Sequence, residues 1–203
     1  PLLDEAIAQH ADLVGHHEGL VLVVRDEDRR RARRLDDVAQ LDPGTADEEN
    51  VDRRFLAWAA QLHEIGVSVA HSSYHKHSAY ILGNADMPGF SRMDQGRLAR
   101  MVLAHRGKLA RVSALEPDSP EWRLILCLRL AAVVHRARDG RGVPPLRLRR
   151  DGRGHVVVAD AEWLRNLPLT AAALEEEERQ WQAIGLPLKV RLERASTRSP
   201  AVT

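Results

Sequence analysis

Residues 122–135 constrain the fold of this chain most, because on a helix they are apolar around almost the whole circumference. Ser119 and Pro120 precede them as an N-terminal capping residue and a proline at the first helical position. Such a helix is stable in water only where other elements cover it. The sequence therefore predicts a helical core around this segment, with the side chain of Cys127 inside it.

The composition is that of an ordinary globular protein and excludes collagen, coiled-coil and wholly disordered classes. The chain has 203 residues, of which 44% are hydrophobic and 29% charged. This length allows at most two compact units. No apolar stretch reaches the roughly 20 residues of a membrane-spanning helix. Since Cys127 is the single cysteine, no internal disulfide is possible, and we expect a protein of the reducing cytoplasm without membrane contact.

Helical spacing recurs through the first part of the chain. In the opening fifty residues it is kept by Leu2, Leu3, Ala6, Ile7, Leu13 and Val14. From Glu49 it continues to His63, and Gly66 is placed where a left-handed C-terminal cap belongs. Ser91 is the predicted N-cap of a helix that ends at His105. Residues 71–77 are too polar for a core element and predict a structured loop.

The composition changes at residues 139–145, where glycines and prolines indicate a domain boundary. Alternating and β-branched residues then predict three strands, at 146–149, 155–158 and 188–192. A turn at residues 151–154 joins the first two into a hairpin, and Thr170 caps a helix that Gly185 ends. The predicted fold is mainly α, with a helical domain at 1–142 and a small α/β domain at 143–203.

Charge is distributed unevenly along the chain, although the net charge is only +1. Residues 92–153 contain 15 Lys and Arg against 6 Asp and Glu, a balance of +9, so the remainder carries −8. Local charge density, and not the sum, sets the field that a ligand meets. The basic stretch predicts either a surface for an anionic partner or ordinary solvated helix faces.

Histidines cluster in the middle of the chain, with five of the ten between residues 63 and 105. His63 and Glu64 precede a segment that contains His71, His75 and His77. Clustered imidazole and carboxylate groups can bind a divalent metal that activates water for phosphate-ester hydrolysis. A histidine at a helix end can equally be a structural residue that hydrogen-bonds a carbonyl.

Several motifs occur in an order that resembles the C-terminal region of the exopolyphosphatase and guanosine pentaphosphate phosphohydrolase family. They are LHEIG at 62–66, HSSYHKHSAYIL at 71–82, DMPGF at 86–90, VLAHR at 102–106 and LRLA at 128–131. The resemblance covers about residues 55–138. It implies a helical domain similar to the HD phosphohydrolase fold, followed by a small α/β domain.

The resemblance also implies where catalysis takes place. In full-length members, two N-terminal lobes of the actin and sugar-kinase type hydrolyse the terminal phosphate with a glycine-rich loop, a catalytic glutamate and Mg²⁺. Neither motif occurs in this sequence. We therefore expect the C-terminal, polyphosphate-binding part of an exopolyphosphatase-like hydrolase. It would be a homodimer without its own cofactor, inactive as an isolated chain, that binds inorganic polyphosphate or guanosine pentaphosphate.

A stand-alone HD phosphohydrolase acting on nucleotides is the first alternative. Enzymes of that type hold metal through an upstream His, a His-Asp pair, further His residues and a late Asp. Here the pair is His63-Glu64, Ala132 replaces the late Asp, and no histidine lies between residues 19 and 62. Alanine cannot coordinate a metal, so His63 and Glu64 are only a weak candidate metal site.

Basic and histidine side chains come to one side of the domain if the fold is HD-like. The predicted polyphosphate-binding residues are His71, His75, Lys76, His77, His105, Arg106 and Lys108. Charge-assisted hydrogen bonds to phosphate oxygens are about twice as strong as neutral ones. Arg97, Arg100 and Arg111 either extend this track or belong to solvated helix faces. If the histidines bind as cations, affinity rises as the pH falls through roughly 6.5.

A nucleic-acid-binding module is the second alternative, and the basic stretch at 92–153 supports it. Sequence-tolerant binding of single strands uses stacking on aromatic side chains, which make up only 4% of the chain. The four tryptophans, Trp58, Trp122, Trp163 and Trp181, lie on helical faces, which indicates core packing. Nucleic acid is therefore not the expected partner.

Overall fold

The computed structural model describes residues 12–15, 20–23, 46–135, 146–152 and 154–193. Contacts within the chain divide it into two compact units, Pro1–Ala132 and Val133–Thr203. The first is largely helical and the second contains a three-stranded sheet, which confirms a mainly α protein with a small α/β part. The predicted boundary at residues 140–145 lies outside the described residues.

In the described residues, the elements follow one another as a hairpin, four helices, and a mixed α/β segment. The chain up to Val134 forms β1 (Asp12–Gly15), β2 (Leu20–Val23), α1 (Ala46–Leu62), α2 (Tyr74–Asn84), α3 (Arg92–Ala104) and α4 (Glu121–Val134), with 3₁₀ turns at Ile65–Ser68 and Leu109–Val112. The remainder forms β3 (Arg147–Asp151), β4 (Gly154–Asp160), α5 (Ala161–Arg165), α6 (Pro168–Ala183) and β5 (Leu188–Glu193). Among the described residues, no helix has the length and apolar character needed to cross a membrane.

Helix α4 is the buried helix that the sequence predicts. Every residue from 124 to 131 is buried, and Cys127 is 4% exposed. The predicted cap of α3 is also confirmed, since Ser91 Oγ accepts a hydrogen bond of 3.1 Å from the backbone N–H of Asp94. Such a cap satisfies one of the donors that the first turn of a helix leaves unpaired.

The predicted loop at residues 71–77 is wrong, because α2 begins at Tyr74. Its buried face consists of His75, Ser78, Ile81 and Leu82, which have the spacing of one side of a helix. The first two of these residues are polar. Hydrophobic periodicity therefore does not reveal the first half of the helix.

The left-handed cap predicted at Gly66 is also wrong. Gly66 lies in the first 3₁₀ turn and is not among the glycines with positive φ. A Cβ at this position would overlap with the backbone N of Ser78 and the backbone O of Tyr74. The absence of a side chain lets this turn contact α2 directly.

The helical prediction at Leu13 and Val14 is wrong too. Both residues belong to β1, which pairs antiparallel with β2. β-branched residues favour strands, and Gly15 interrupts the helical spacing. The other four residues predicted to form this helix lie outside the described part of the chain.

The sheet of the second unit has the order β3-β4-β5. β3 and β4 form the predicted antiparallel hairpin, with Gly152 at φ +58° in its turn. β5 is the predicted third strand, and it runs parallel to β4. A parallel pair needs a long crossover, which α5 and α6 supply. α6 begins at Pro168, so Thr170 lies in its first turn and is not the N-cap.

Core packing of the tryptophans is confirmed at Trp122 and Trp181, which are 5% and 0% exposed. Trp58 is half-buried and makes edge-to-face contacts with Phe55 and Phe90, with ring centroids 5.4 and 4.8 Å apart. Their burial leaves these rings little surface for stacking on a base.

Candidate anion-binding site

Three aromatic rings meet where α1 ends, α2 begins and α3 ends. The ring centroid of His105 lies 5.0 Å from that of His63 and 5.6 Å from that of Tyr74. His105 is the residue that follows α3, whereas Tyr74 is the first residue of α2. We call His63, Tyr74 and His105 the ring cluster.

His105 is a neutral, structural histidine at the base of the ring cluster. Its Nδ1–H donates to the carbonyl of Val102 over 2.6 Å, so Nε2 is left as an acceptor for the hydroxyl of Tyr74 at 3.3 Å. Burial lowers the pKa of His105 to about 3, and the nearby His63 contributes less. The expectation that His105 contacts phosphate as a cation is therefore not supported by its position.

His63 and Glu64 have no third metal ligand beside them in the described ranges. The Nδ1–H of His63 donates to the carbonyl of Ala60 over 2.7 Å, and its Nε2 lies 3.9 Å from a carboxylate oxygen of Glu64. Within the part of the chain that the structure describes, no three His, Cys, Asp or Glu side chains are arranged to hold a metal ion.

His75 is buried on α2 and accepts a hydrogen bond from Arg111. The distance from Arg111 Nη1 to His75 Nε2 is 3.0 Å. A guanidinium can only donate, so this Nε2 is unprotonated. Burial lowers the pKa of His75 most, followed by the positive charges of Arg111 and Arg106. Like His105, His75 is not placed as a surface cation.

The loop that follows α3 is held in place by a buried arginine of α4. Arg129 is 2% exposed, and its Nη1 donates to the carbonyls of Ala104 at 2.6 Å and Gly107 at 3.0 Å. Gly107 has φ +78°, a conformation that favours glycine. Because Arg129 joins both ends of the turn, residues 105–108 have a defined position against α4.

Four exposed cations surround this loop, and we call them the cationic rim. Its members are Lys76 on α2, Arg106 and Lys108 on the loop, and Arg111 in the second 3₁₀ turn. The guanidinium carbon of Arg106 lies 5.5 Å from the ring centroid of Tyr74. Among the described residues, none of the four has an acidic side chain within ion-pair distance.

Three other arginines of the first unit, Arg97, Arg100 and Arg123, are paired with carboxylates. Asp52 binds Arg97 at 2.6 Å and Arg123 at 2.9 Å through its two oxygens. Arg100 makes two hydrogen bonds of 2.9 Å to Glu121. Arg97 and Arg100 are therefore parts of ion pairs, and of the three arginines considered as an extension only Arg111 joins the rim.

The seven predicted site residues thus fall into different environments. Lys76, Arg106 and Lys108 belong to the rim, and His71 is exposed ahead of α2. The other three are the half-buried His77 and the buried His75 and His105. That these seven residues bind polyphosphate stays a prediction.

Sequence reasoning missed Tyr74, Gly107 and Arg129 as parts of this site. A signal existed for Arg129, because it lies within the apolar run 124–131 of the most apolar helix and a buried charge requires hydrogen-bond partners. No comparable signal marks Tyr74 or Gly107. Their contacts are made with residues that are close only in the folded chain.

Comparison with known proteins identifies relatives of this chain. The family described as "Ppx/GppA phosphatase, domain III" matches residues 28–178. The guanosine-5'-triphosphate,3'-diphosphate pyrophosphatases of Vibrio vulnificus, Vibrio atlanticus and Pseudoalteromonas translucida are 36%, 34% and 33% identical over 138 residues. Each match covers 66% of this chain and 28% of the relative, so the matched region spans less than a third of the relatives' length.

Proposed function

This chain belongs to the Ppx/GppA phosphatase family, whose domain III it matches, and we propose that it is the polyphosphate-binding part of an exopolyphosphatase-like hydrolase. The proposal concerns binding and not bond cleavage. The residues that carry it are the four cations of the rim together with the exposed His71 and the half-buried His77.

The observation that carries the proposal is that the four rim cations lie around one loop, whereas Arg97, Arg100 and Arg123 lie against carboxylates. Arg97 and Arg123 share Asp52, and Arg100 pairs with Glu121. The rim cations have no such partner among the described residues, so their charge is available to an anion. Phosphate oxygens bound by several cations in a row give tight binding that depends strongly on salt.

A polyanion without a base suits this surface better than a nucleic acid. The rim offers charges, and the ring of Tyr74 beside it has the guanidinium of Arg106 above it. Guanosine pentaphosphate is the second candidate ligand, because the relatives are named as pyrophosphatases of guanosine-5'-triphosphate,3'-diphosphate. Competition between the two phosphate compounds would rank them.

The test reverses two rim charges and, as a matched control, two exposed charges elsewhere. The rim variant is Arg106→Glu/Lys108→Glu, and the control is Arg54→Glu/Arg92→Glu. Arg92 begins α3, so about 20 Å of helix separates it from His105. Both variants change the net charge equally.

We expect the rim variant to bind inorganic polyphosphate roughly tenfold or more weakly in fluorescence titrations. The slope of log affinity against log salt concentration should fall by about 1 to 2, since up to two phosphate contacts are lost. The control should retain both the affinity and the slope. Equal losses in the two variants would show that only diffuse charge binds the polyanion and would refute the proposed site.

A further inference from the structure

The pair formed by Arg111 and His75 adds a residue to the proposed site. Arg111 Nη1 donates to His75 Nε2 over 3.0 Å, while the arginine side chain is exposed. We propose that Arg111 is a phosphate-binding residue whose guanidinium is positioned by the neutral imidazole of His75, so that its contribution is lost in acid. This inference rests on the proposed function and deepens it.

A neutral acceptor orients a guanidinium without cancelling its charge. Arg100 has a charged acceptor instead. It donates two hydrogen bonds to the carboxylate of Glu121, which also compensates its positive charge. His75 uses one N–H of Arg111 only. The remaining donors form a planar fork that matches two phosphate oxygens. Positioning before binding reduces the entropy that the side chain loses when a ligand arrives.

The space for this arrangement is provided by Gly107. A Cβ on Gly107 would lie 2.5 Å from Arg111 Nη1 and 3.5 Å from His75 Nε2. The guanidinium therefore lies directly over the backbone of the loop. Arg129 holds that loop through the carbonyl of the same glycine. Loop, imidazole and guanidinium together form one packed unit.

Protonation of His75 would break this arrangement. An imidazolium has no acceptor for Arg111 and repels it. The charged groups that act on His75 are all cations, namely Arg111, Arg106, Lys76 and Arg129. The other titratable neighbours, Tyr74 and His105, lie at ring-centroid distances of 6.1 and 6.2 Å. These surroundings keep His75 neutral at physiological pH, and acid releases Arg111.

The test compares two glycine variants and one arginine variant with inorganic polyphosphate as the probe. Gly107→Ala displaces the guanidinium but keeps every charge. Gly185→Ala is the matched control, because Gly185 has a similar φ of +77° with no atom within 4 Å of an added Cβ. Arg111→Lys keeps the charge and removes the planar fork. Thermal unfolding checks that each variant is folded.

We expect Gly107→Ala and Arg111→Lys to bind roughly tenfold more weakly than wild type at pH 7.5, and Gly185→Ala to bind like wild type. NMR titration of the His75 ring gives its midpoint, and one pH unit below it the variants and wild type should converge. In His75→Gln, the amide oxygen accepts a hydrogen bond from Arg111 and does not titrate. At that pH, this variant should therefore still bind polyphosphate more tightly than Arg111→Lys does.

Each outcome decides between the two proposals. A wild type that does not bind polyphosphate refutes the proposed function and this inference with it. A wild type that binds, with Gly107→Ala and Arg111→Lys equal to Gly185→Ala, refutes the role of Arg111 alone. A difference between the variants that persists below the midpoint of His75, or at every pH where the protein is folded, refutes the loss in acid.

Discussion

At the scale of single residues, burial divides the histidines that the sequence grouped together. His71 is exposed, whereas His105 is 3% exposed and makes its hydrogen bonds inside the protein. A buried imidazole resists protonation because the charged form loses its hydration. The histidines with buried rings therefore support the loop of the site and do not supply its charge. Of the four predicted histidines, His71 and His77 keep the proposed role of contacting phosphate.

The burial of His105 predicts a pH dependence of stability. The unfolded chain protonates this residue near its ordinary pKa of 6.5, whereas the folded chain has a pKa of about 3. Between these values the unfolded state binds more protons, so stability is lost as the pH falls. Between pH 6.5 and pH 4.5, wild type should lose roughly 2 kcal/mol more of its free energy of unfolding than His105→Gln loses. Urea unfolding at the two pH values measures this difference. His71→Gln, at an exposed position, is the comparison variant, and an effect of that variant as large as the effect of His105→Gln would contradict the assignment.

At the scale of elements, the contact between the first 3₁₀ turn and α2 locates the ring cluster. The N–H of Gly66 donates to Ser78 Oγ over 2.9 Å, and that hydroxyl donates to the carbonyl of His63 over 2.8 Å. One serine thus joins the end of α1, the turn and α2. The position of His63 opposite Tyr74 depends on this close approach of two backbones.

This close approach makes Gly66→Ala destabilising. The added Cβ would overlap with backbone atoms of Ser78 and Tyr74, which cannot move away as a flexible side chain can. We expect a loss of about 2 kcal/mol or more in the free energy of unfolding, measured by urea denaturation. Gly96→Ala is the control, because nothing lies within 4 Å of its added Cβ and alanine favours the helix by about 1 kcal/mol. If both variants were equally stable, the turn would not be packed as described.

At the scale of the whole molecule, the chain consists of two units and matches 28% of the length of its relatives. No cluster of metal-ligating side chains occurs in the described ranges 46–135, 146–152 and 154–193. Our proposal concerns the binding of polyphosphate and not its hydrolysis. The homodimer inferred from the resemblance stays a prediction.

Because the resemblance implies that hydrolysis is carried out by N-terminal lobes of the actin and sugar-kinase type, we expect the isolated chain to release no phosphate from polyphosphate in the presence of Mg²⁺ or Mn²⁺. A sensitive colorimetric phosphate assay on the purified protein checks this expectation. The matched variant is His63→Ala, which removes the histidine of the weak candidate metal pair. Turnover that persists through purification and disappears in this variant would refute a purely binding role.

The sequence by itself determined the elements whose signals are local. The apolar circumference of α4, the Ser91 cap of α3 and the stop at Gly185 are each encoded within a few neighbouring residues. Periodicity and capping act over one or two helical turns, so they are visible without the fold. The motifs at 62–131 likewise indicated the family before any contact was known.

Only the tertiary structure decided which charges are available and which are neutralised. Arg97 pairs with Asp52 across 45 positions, and Arg111 meets His75 across 36. Residues so far apart in the chain approach each other only when the helices pack, and no local pattern records their distance. The same reason applies to Gly66, where the approach of α2 and not the backbone angle requires glycine. The distribution of charge along the sequence indicated a basic surface. The packing of the helices determines that the four cations of the cationic rim form it.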